Sequence, residues 1–141
     1  MLKSEIYDKL NGPGRIRIKL VIKKAQIEDL HLMMLPGGIR YDKDQVQTSP
    51  SDPMLNFIEK LSDLEEEMRK LEIAYTRYYE DVEKLAGTLS DDKMQEVLIL
   101  HYLAGKKVKD IAELMGYTEG WVRKLEREAI RELEKAVPNN H

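Results

Sequence analysis

Lys106-Lys107-Val108-Lys109-Asp110-Ile111-Ala112-Glu113-Leu114-Met115-Gly116-Tyr117-Thr118-Glu119-Gly120-Trp121-Val122-Arg123 is the stretch on which the fold turns. The lysines open a helix whose apolar residues are Ile111, Ala112, Leu114 and Met115. Gly116-Tyr117-Thr118 predicts a tight turn, because glycine accepts left-handed backbone without a steric cost and Thr118 can cap the helix that follows. That helix runs from Glu119 to about Ala136, with Val122, Leu125, Ala129, Ile130 and Leu133 facing inward. Small Ala112 lets the two helices approach closely, and Val122 and Leu125 lock the second onto the first.

Upstream, Leu89-Ser90-Asp91-Asp92 marks another helix start, with Ser90 the expected N-cap. Met94, Val97, Leu98 and Leu100 to Leu103 supply its apolar face, and Ala104-Gly105 ends it. The arrangement is that of a helix-turn-helix, which leaves the outward positions near the start of the last helix free to enter a major groove.

Further upstream the periodicity is cleanest. Met54, Phe57, Leu61, Leu64, Met68, Leu71, Tyr75, Tyr78, Val82, Leu85 and Leu89 recur at alternating spacings of three and four, a seam of coiled-coil type. Asp52-Pro53 opens this helix as cap and first residue. Before it, Pro36-Gly37-Gly38 through Ser49-Pro50-Ser51 reads as a loop over 36–51. From Arg15 to Leu35, Ile16, Leu20, Ile27, Leu30 and Met34 share a helical stripe. Ile16, Ile18, Leu20 and Ile22 also alternate as a strand would, but length and the continuing stripe favour a helix. Asn11-Gly12-Pro13-Gly14 separates it from a short helix at 2–10.

The fold class is therefore all-α: an antiparallel, coiled-coil-like helical hairpin over 1–88, then a helix-turn-helix domain over 89–141. Charge supports the hairpin, since residues 1–50 carry a net +3 and residues 51–88 a net −5. The second hairpin helix, at ~50 Å, outruns the first at ~30 Å. Its far end, with Tyr75, Tyr78 and Val82, then needs a cover: residues 2–10, or a second subunit. We expect the second subunit, and hence a homodimer.

Residues 89–141 carry a net −1, so contact with nucleic acid must come from a local patch. The chain has no cysteine, which excludes disulfides and cysteine-based zinc sites. It has no apolar run of the ~20 residues a membrane span needs and no signal-peptide core at its start, so cytoplasm is the expected location. His31, His101 and His141 show no ligand spacing with carboxylates. Neither a phosphate loop nor a nucleophile motif is present. No enzyme activity, cofactor or metal is expected, and Glu65-Glu66-Glu67 reads as a solvated helix surface.

Leu98, His101-Tyr102-Leu103-Ala104-Gly105, Asp110 to Thr118, Val122-Arg123, Ala129 and Leu133 together resemble region 4 of sigma-70-type factors, over about the last third of the chain. With Asp44-Gln45-Val46-Gln47-Thr48-Ser49-Pro50 and the acidic helix, most of the chain resembles phage and prophage regulators of late transcription, of the ArpU and RinA type. The resemblance implies double-stranded DNA as partner, with RNA polymerase as a second. It implies that Glu119, Gly120 and Lys124 fall at base-reading positions, that Arg123 and Arg127 fall at phosphate contacts, and that His101 is structural. Glu119 and Gly120 depart from the usual base readers, and Glu126, Glu128, Glu132 and Glu134 are expected to dilute the basic face. The segment that melts the −10 element has no counterpart.

For Lys106, Lys107 and Lys109, phosphate contact stands level with a solvated lysine cluster. Thr118 is a candidate contact beside its cap role. Trp121 either faces DNA or packs on the first helix of the motif; DNA proximity is slightly preferred. Tyr75, Tyr78 and Tyr79 read as core or interface before base-stacking surface. The leading expectation is a sequence-specific DNA-binding transcriptional regulator of phage type. A DNA-packaging protein like the small terminase subunit, or an adaptor that binds polymerase without DNA, stand as alternatives.

Overall fold

The computed structural model describes residues 1–35 and 52–136. The loop reading at 36–51 and His141 lie outside the described residues. Every regular element among those described is helical: α1 (Lys3–Leu10), α2 (Gly12–Met34), α3 (Pro53–Gly87), α4 (Asp92–Leu98), α5 (Val108–Met115) and α6 (Glu119–Ala136). A wide π turn, Ile99–Leu103, continues α4. The alternation at Ile16 to Ile22 is helix, as length favoured. Among the described residues no helix is long and apolar enough to cross a membrane.

Two start signals shift. The helix begins at Gly12, not Arg15: Pro13 sits in its first turn, where an amide donor has no intrahelical acceptor anyway. Asn11 alone separates it from α1. Gly12 faces Tyr78 so closely that a Cβ there would lie 2.4 Å from the ring's Cδ1. At α4 the cap is Asp91, not Ser90. The Asp91 carboxylate accepts from the amides of Lys93 (2.8 Å) and Met94 (3.3 Å). Ser90 Oγ instead donates to Glu132 Oε1 at 3.1 Å. Asp52 takes its expected place before α3, accepting from the Met54 amide at 3.0 Å.

Contacts divide the chain into two compact units, Met1–Arg17 with Ala74–His141, and Ile18–Ile73. The first, the head, has two apolar clusters. One joins Ile6 and Leu10 of α1 to Val82 and Leu85 of α3, with Leu89, Leu98, Leu103, Ala129, Ile130 and Leu133. The other joins Val97, Ile111, Ala112, Val122 and Leu125. α6 contributes to both, so it is the element around which the head is built. The first cluster answers the question of the overhang: α1 covers Val82 and Leu85. Of the two covers expected, residues 2–10 are therefore the one present at Val82 and Leu85, while Tyr78 stays 37% exposed.

Arg17 ties the head's elements together. Its guanidinium donates to the Leu103 carbonyl at the end of the π turn (2.5 Å) and to the Tyr75 hydroxyl (3.3 Å). Gly105 follows with φ of +68°, and a Cβ there would lie 2.8 Å from that guanidinium. Tyr75 and Tyr79 stack obliquely, with ring centroids 6.0 Å apart, inside this scaffold.

The second unit is the hairpin. Lys23 Nζ meets Glu67 Oε2 at 2.6 Å. Lys19 and Ile22 share a groove with Lys70 and Leu71, whereas Leu30 and Met33 share one with Lys60 and Leu64. Numbers that rise along α2 fall along α3, so the pair is antiparallel. Phe57, Leu61, Leu64, Met68 and Leu71 are only half-buried along the seam. Among the described residues, Leu30 is the apolar side chain of this unit that is fully buried.

Candidate nucleic-acid interface

The turn between α5 and α6 is fixed by three local devices. Gly116 takes left-handed backbone at φ +73°, which a Cβ would strain. The Tyr117 amide donates to the Ala112 carbonyl at 2.9 Å, closing α5. Thr118 Oγ1 accepts from the Trp121 amide at 3.1 Å, capping α6 as its sequence position suggests. Ala112 is buried where α5 and α6 cross, and Val122 and Leu125 pack with it and Ile111.

With those side chains inward, the opposite stripe of α6 is outward. Gly120, Lys124, Arg127, Arg131 and Lys135 recur three or four residues apart, and all are exposed. Arg123 lies beside this stripe, also exposed, and pairs with Glu119 at 3.4 Å. Lys124 reaches Glu128 at 4.0 Å. Both pairs are solvent-facing contacts between residues four apart, worth little in water and readily exchanged for a stronger anion.

The expected dilution of this stripe by acidic residues is smaller than the sequence implies. The Glu126 carboxylate turns to His101 Nδ1 on the π turn, and Glu132 accepts from Ser90. Both therefore serve the scaffold. Burial first, and then the charge of Glu126, push the Tyr102 phenol above its usual range. His101 lies against Tyr102, ring centroids 4.4 Å apart, a structural place for this histidine.

Trp121 is 41% exposed and lies outside both apolar clusters. Its ring meets Tyr117 edge-on at 6.4 Å, and Lys124 Nζ stands 5.0 Å from its centroid. Lys93 Nζ stands 5.5 Å from the Tyr117 ring. Lys107 is the N-cap residue of α5, without a side-chain cap hydrogen bond, and Lys109 lies in its first turn; both are exposed. Sequence reasoning missed two further cations. Arg131 and Lys3 share a small cleft with Arg127, Tyr7 and Glu134. The spacing from Lys124 through Arg127 to Arg131 was the available signal for the first; nothing in sequence places Lys3 there.

Three short helices, a glycine turn and an outward basic stripe on the last of them define a helix-turn-helix of the DNA-binding class. Residues 88–135 match the family Sigma-70, region 4, a DNA-binding helix-turn-helix domain, so this part of the chain is sigma-70 region 4-like. No curated protein and no solved structure matches the chain significantly.

Proposed function

We propose that this chain is a sequence-specific DNA-binding transcriptional regulator whose α6 enters the major groove of double-stranded DNA. The observation that supports this is the exposed stripe Lys124–Arg127–Arg131, opposite the buried stripe that holds α6 to α5. Its sign suits phosphate, and its position on the last helix of the motif suits groove entry. Lys124 and Gly120, nearest the helix start, face the bases together with Glu119. Arg123 and Arg127 take phosphates, with Lys107, Lys109 and Thr118 gripping from the α5 side and Trp121 beside the sugar backbone. The resemblance to sigma-70 region 4 adds RNA polymerase as a second partner.

The test is fluorescence anisotropy on duplexes selected from a random pool, across a salt series. Arg123→Ala with Arg127→Ala should weaken binding to every sequence and flatten the slope of log K against log salt by about 1 for each lost phosphate contact. Lys124→Ala should lower the preference for the selected duplex more than the affinity for random DNA. Unchanged affinity and slope in the double variant would overturn the assignment. Binding to polymerase without any DNA affinity would favour the adaptor instead.

A further inference from the structure

α1 covers the seam of α3 with Ile6 and Leu10, and the same helix carries a cation to α6. Lys3 and Tyr7, one turn apart on α1, meet Arg127, Ile130, Arg131 and Glu134 of α6 around a cleft of about 100 Å³. That is well below the ~300 Å³ at which pockets begin to enclose organic ligands, and it suits a small anion. Lys3, Arg127 and Arg131 are exposed, and none of them forms an ion pair among the described residues. The cleft sets these three cations against one carboxylate, Glu134, and is therefore positive. Two details fit an anion there. Lys3 is the first residue of α1, where the positive end of the helix dipole makes a cation locally unfavourable and an anion beside it favourable. The Tyr7 hydroxyl has a proton to donate, and burial first, then the charges of Glu126 and Glu134, hold that proton more firmly than usual.

We propose that this cleft grips a phosphate of the DNA backbone, which makes α1 part of the DNA-binding surface. The proposal rests on the reading of α6 as the helix that enters the groove. Arg127 belongs both to the cleft and to the outward stripe of α6, so the two surfaces are continuous. Arg131 lies two turns beyond Lys124, ~10 Å along the helix axis. The major groove is ~12 Å wide. With Lys124 at the bases, Arg131 therefore arrives at the strand that borders the groove, and Lys3 stands beside it. α5 flanks the first half of α6 at Val122 and Leu125, and α1 flanks the second half at Ile130. The lysines of α5 and Lys3 of α1 then hold backbone at opposite ends of the reading helix. Lys3 supplies a point charge and Arg131 a planar fork of donors, the two forms in which phosphate is held. Glu134 repels the same phosphate and limits the affinity.

The full chain on the selected duplex tests this, by anisotropy across a salt series and by phosphate-ethylation interference. Lys3→Ala and Arg131→Ala should each weaken binding ~3–10-fold and flatten the slope of log K against log salt by about 1. Lys3→Arg, which keeps the charge, should keep the slope. Glu134→Gln should tighten binding ~2–5-fold, because it removes a charge of the phosphate's own sign. In the interference map, Lys3→Ala and Arg131→Ala should erase the effect of the same ethylated phosphate, one that Arg123→Ala leaves in place. A substitution that merely loosened the head would weaken every position alike, and that result would overturn the grip. Binding that responds to Arg123→Ala with Arg127→Ala but is indifferent to Lys3→Ala and Arg131→Ala would also overturn it, while leaving α6 as the reading helix. Absence of DNA binding by the unmodified chain would overturn both readings together.

Discussion

Leu64 and Val82 sit on the same seam of the same helix, yet Val82 is fully buried and Leu64 only half-buried. The difference is the number of neighbours each region supplies. In the head, α1 brings Ile6 and Leu10 to the seam and α6 contributes Ala129, Ile130 and Leu133 to the same cluster. In the hairpin, among the described residues, α2 alone faces α3, and two cylinders in contact shield one strip of each. An identical repeat therefore makes a core in one region and a half-wetted stripe in the other. Periodicity states which residues seek burial; the count of surrounding helices decides whether they obtain it.

The comparison breaks most readily at these paired positions. Leu98 is fully buried in the head's first cluster, so Leu98→Ala should cost ~2–5 kcal/mol, the lost transfer energy plus that of the cavity. Leu64→Ala in the hairpin should cost about 1 kcal/mol or less, since its side chain already meets water and leaves no closed void. Urea unfolding of both variants measures the gap. Equal costs would mean that the hairpin is packed as tightly as the head.

A second test asks whether the head holds polar groups in a dry setting. The Tyr102 phenol is pushed up by burial first and by the Glu126 charge second. Tyr7 is pushed the same way, by burial and then by Glu126 and Glu134. A phenol whose folded value lies above its unfolded value of 10.0 keeps its proton longer in the folded chain. The unfolded chain ionises first, so the contribution is intact below pH 10 and is lost as pH rises beyond it. Stability should fall over that alkaline range, and Tyr102→Phe should make the fall shallower. A urea midpoint that follows the same pH curve in variant and parent would show that Tyr102 is not desolvated.

Much of the head was legible because its signals are local. Gly116, Thr118 and Ala112 act within one or two turns of their partners, and the structure uses each as sequence suggests. The inward residues of α6 were legible for the same reason. What escaped depended on distant chain. That α1 covers Val82 depends on Ile6 and Leu10 meeting a helix some seventy residues away, and no repeat encodes that meeting. Glu126 and Glu132 count as acidic dilution in sequence, but their directions are set by His101 and Ser90, which only the packed fold brings near. Ser90 lost the cap to its neighbour Asp91, a shift of one residue that spacing alone does not resolve. At the site, the stripe of α6 could be read from helical spacing as far as Arg131, whereas Lys3 became part of it only through the fold.

The smallest expected effect also separates the two regions, because each holds an aspartate doing the same task. Asp91 caps α4 through the amides of Lys93 and Met94, and Asp52 caps α3 through the amide of Met54. In both, a carboxylate satisfies amide donors that have no intrahelical acceptor and places negative charge at the positive end of the helix dipole. Judged locally, replacing either with alanine should cost ~1 kcal/mol. Their effects on global unfolding should nevertheless differ. α4 opens only when the head opens, since Val97 and Leu98 are both fully buried, so Asp91→Ala should lower the unfolding free energy by about that full amount. The first turns of α3 carry exposed Met54 and Leu55 and can open below the global transition, so Asp52→Ala should move it by no more than ~0.3 kcal/mol. Native-state hydrogen exchange should show the loss instead, as faster exchange of the amides near Met54 with those of α4 unchanged. A shift in the global transition as large for Asp52→Ala as for Asp91→Ala would mean that hairpin and head unfold as one.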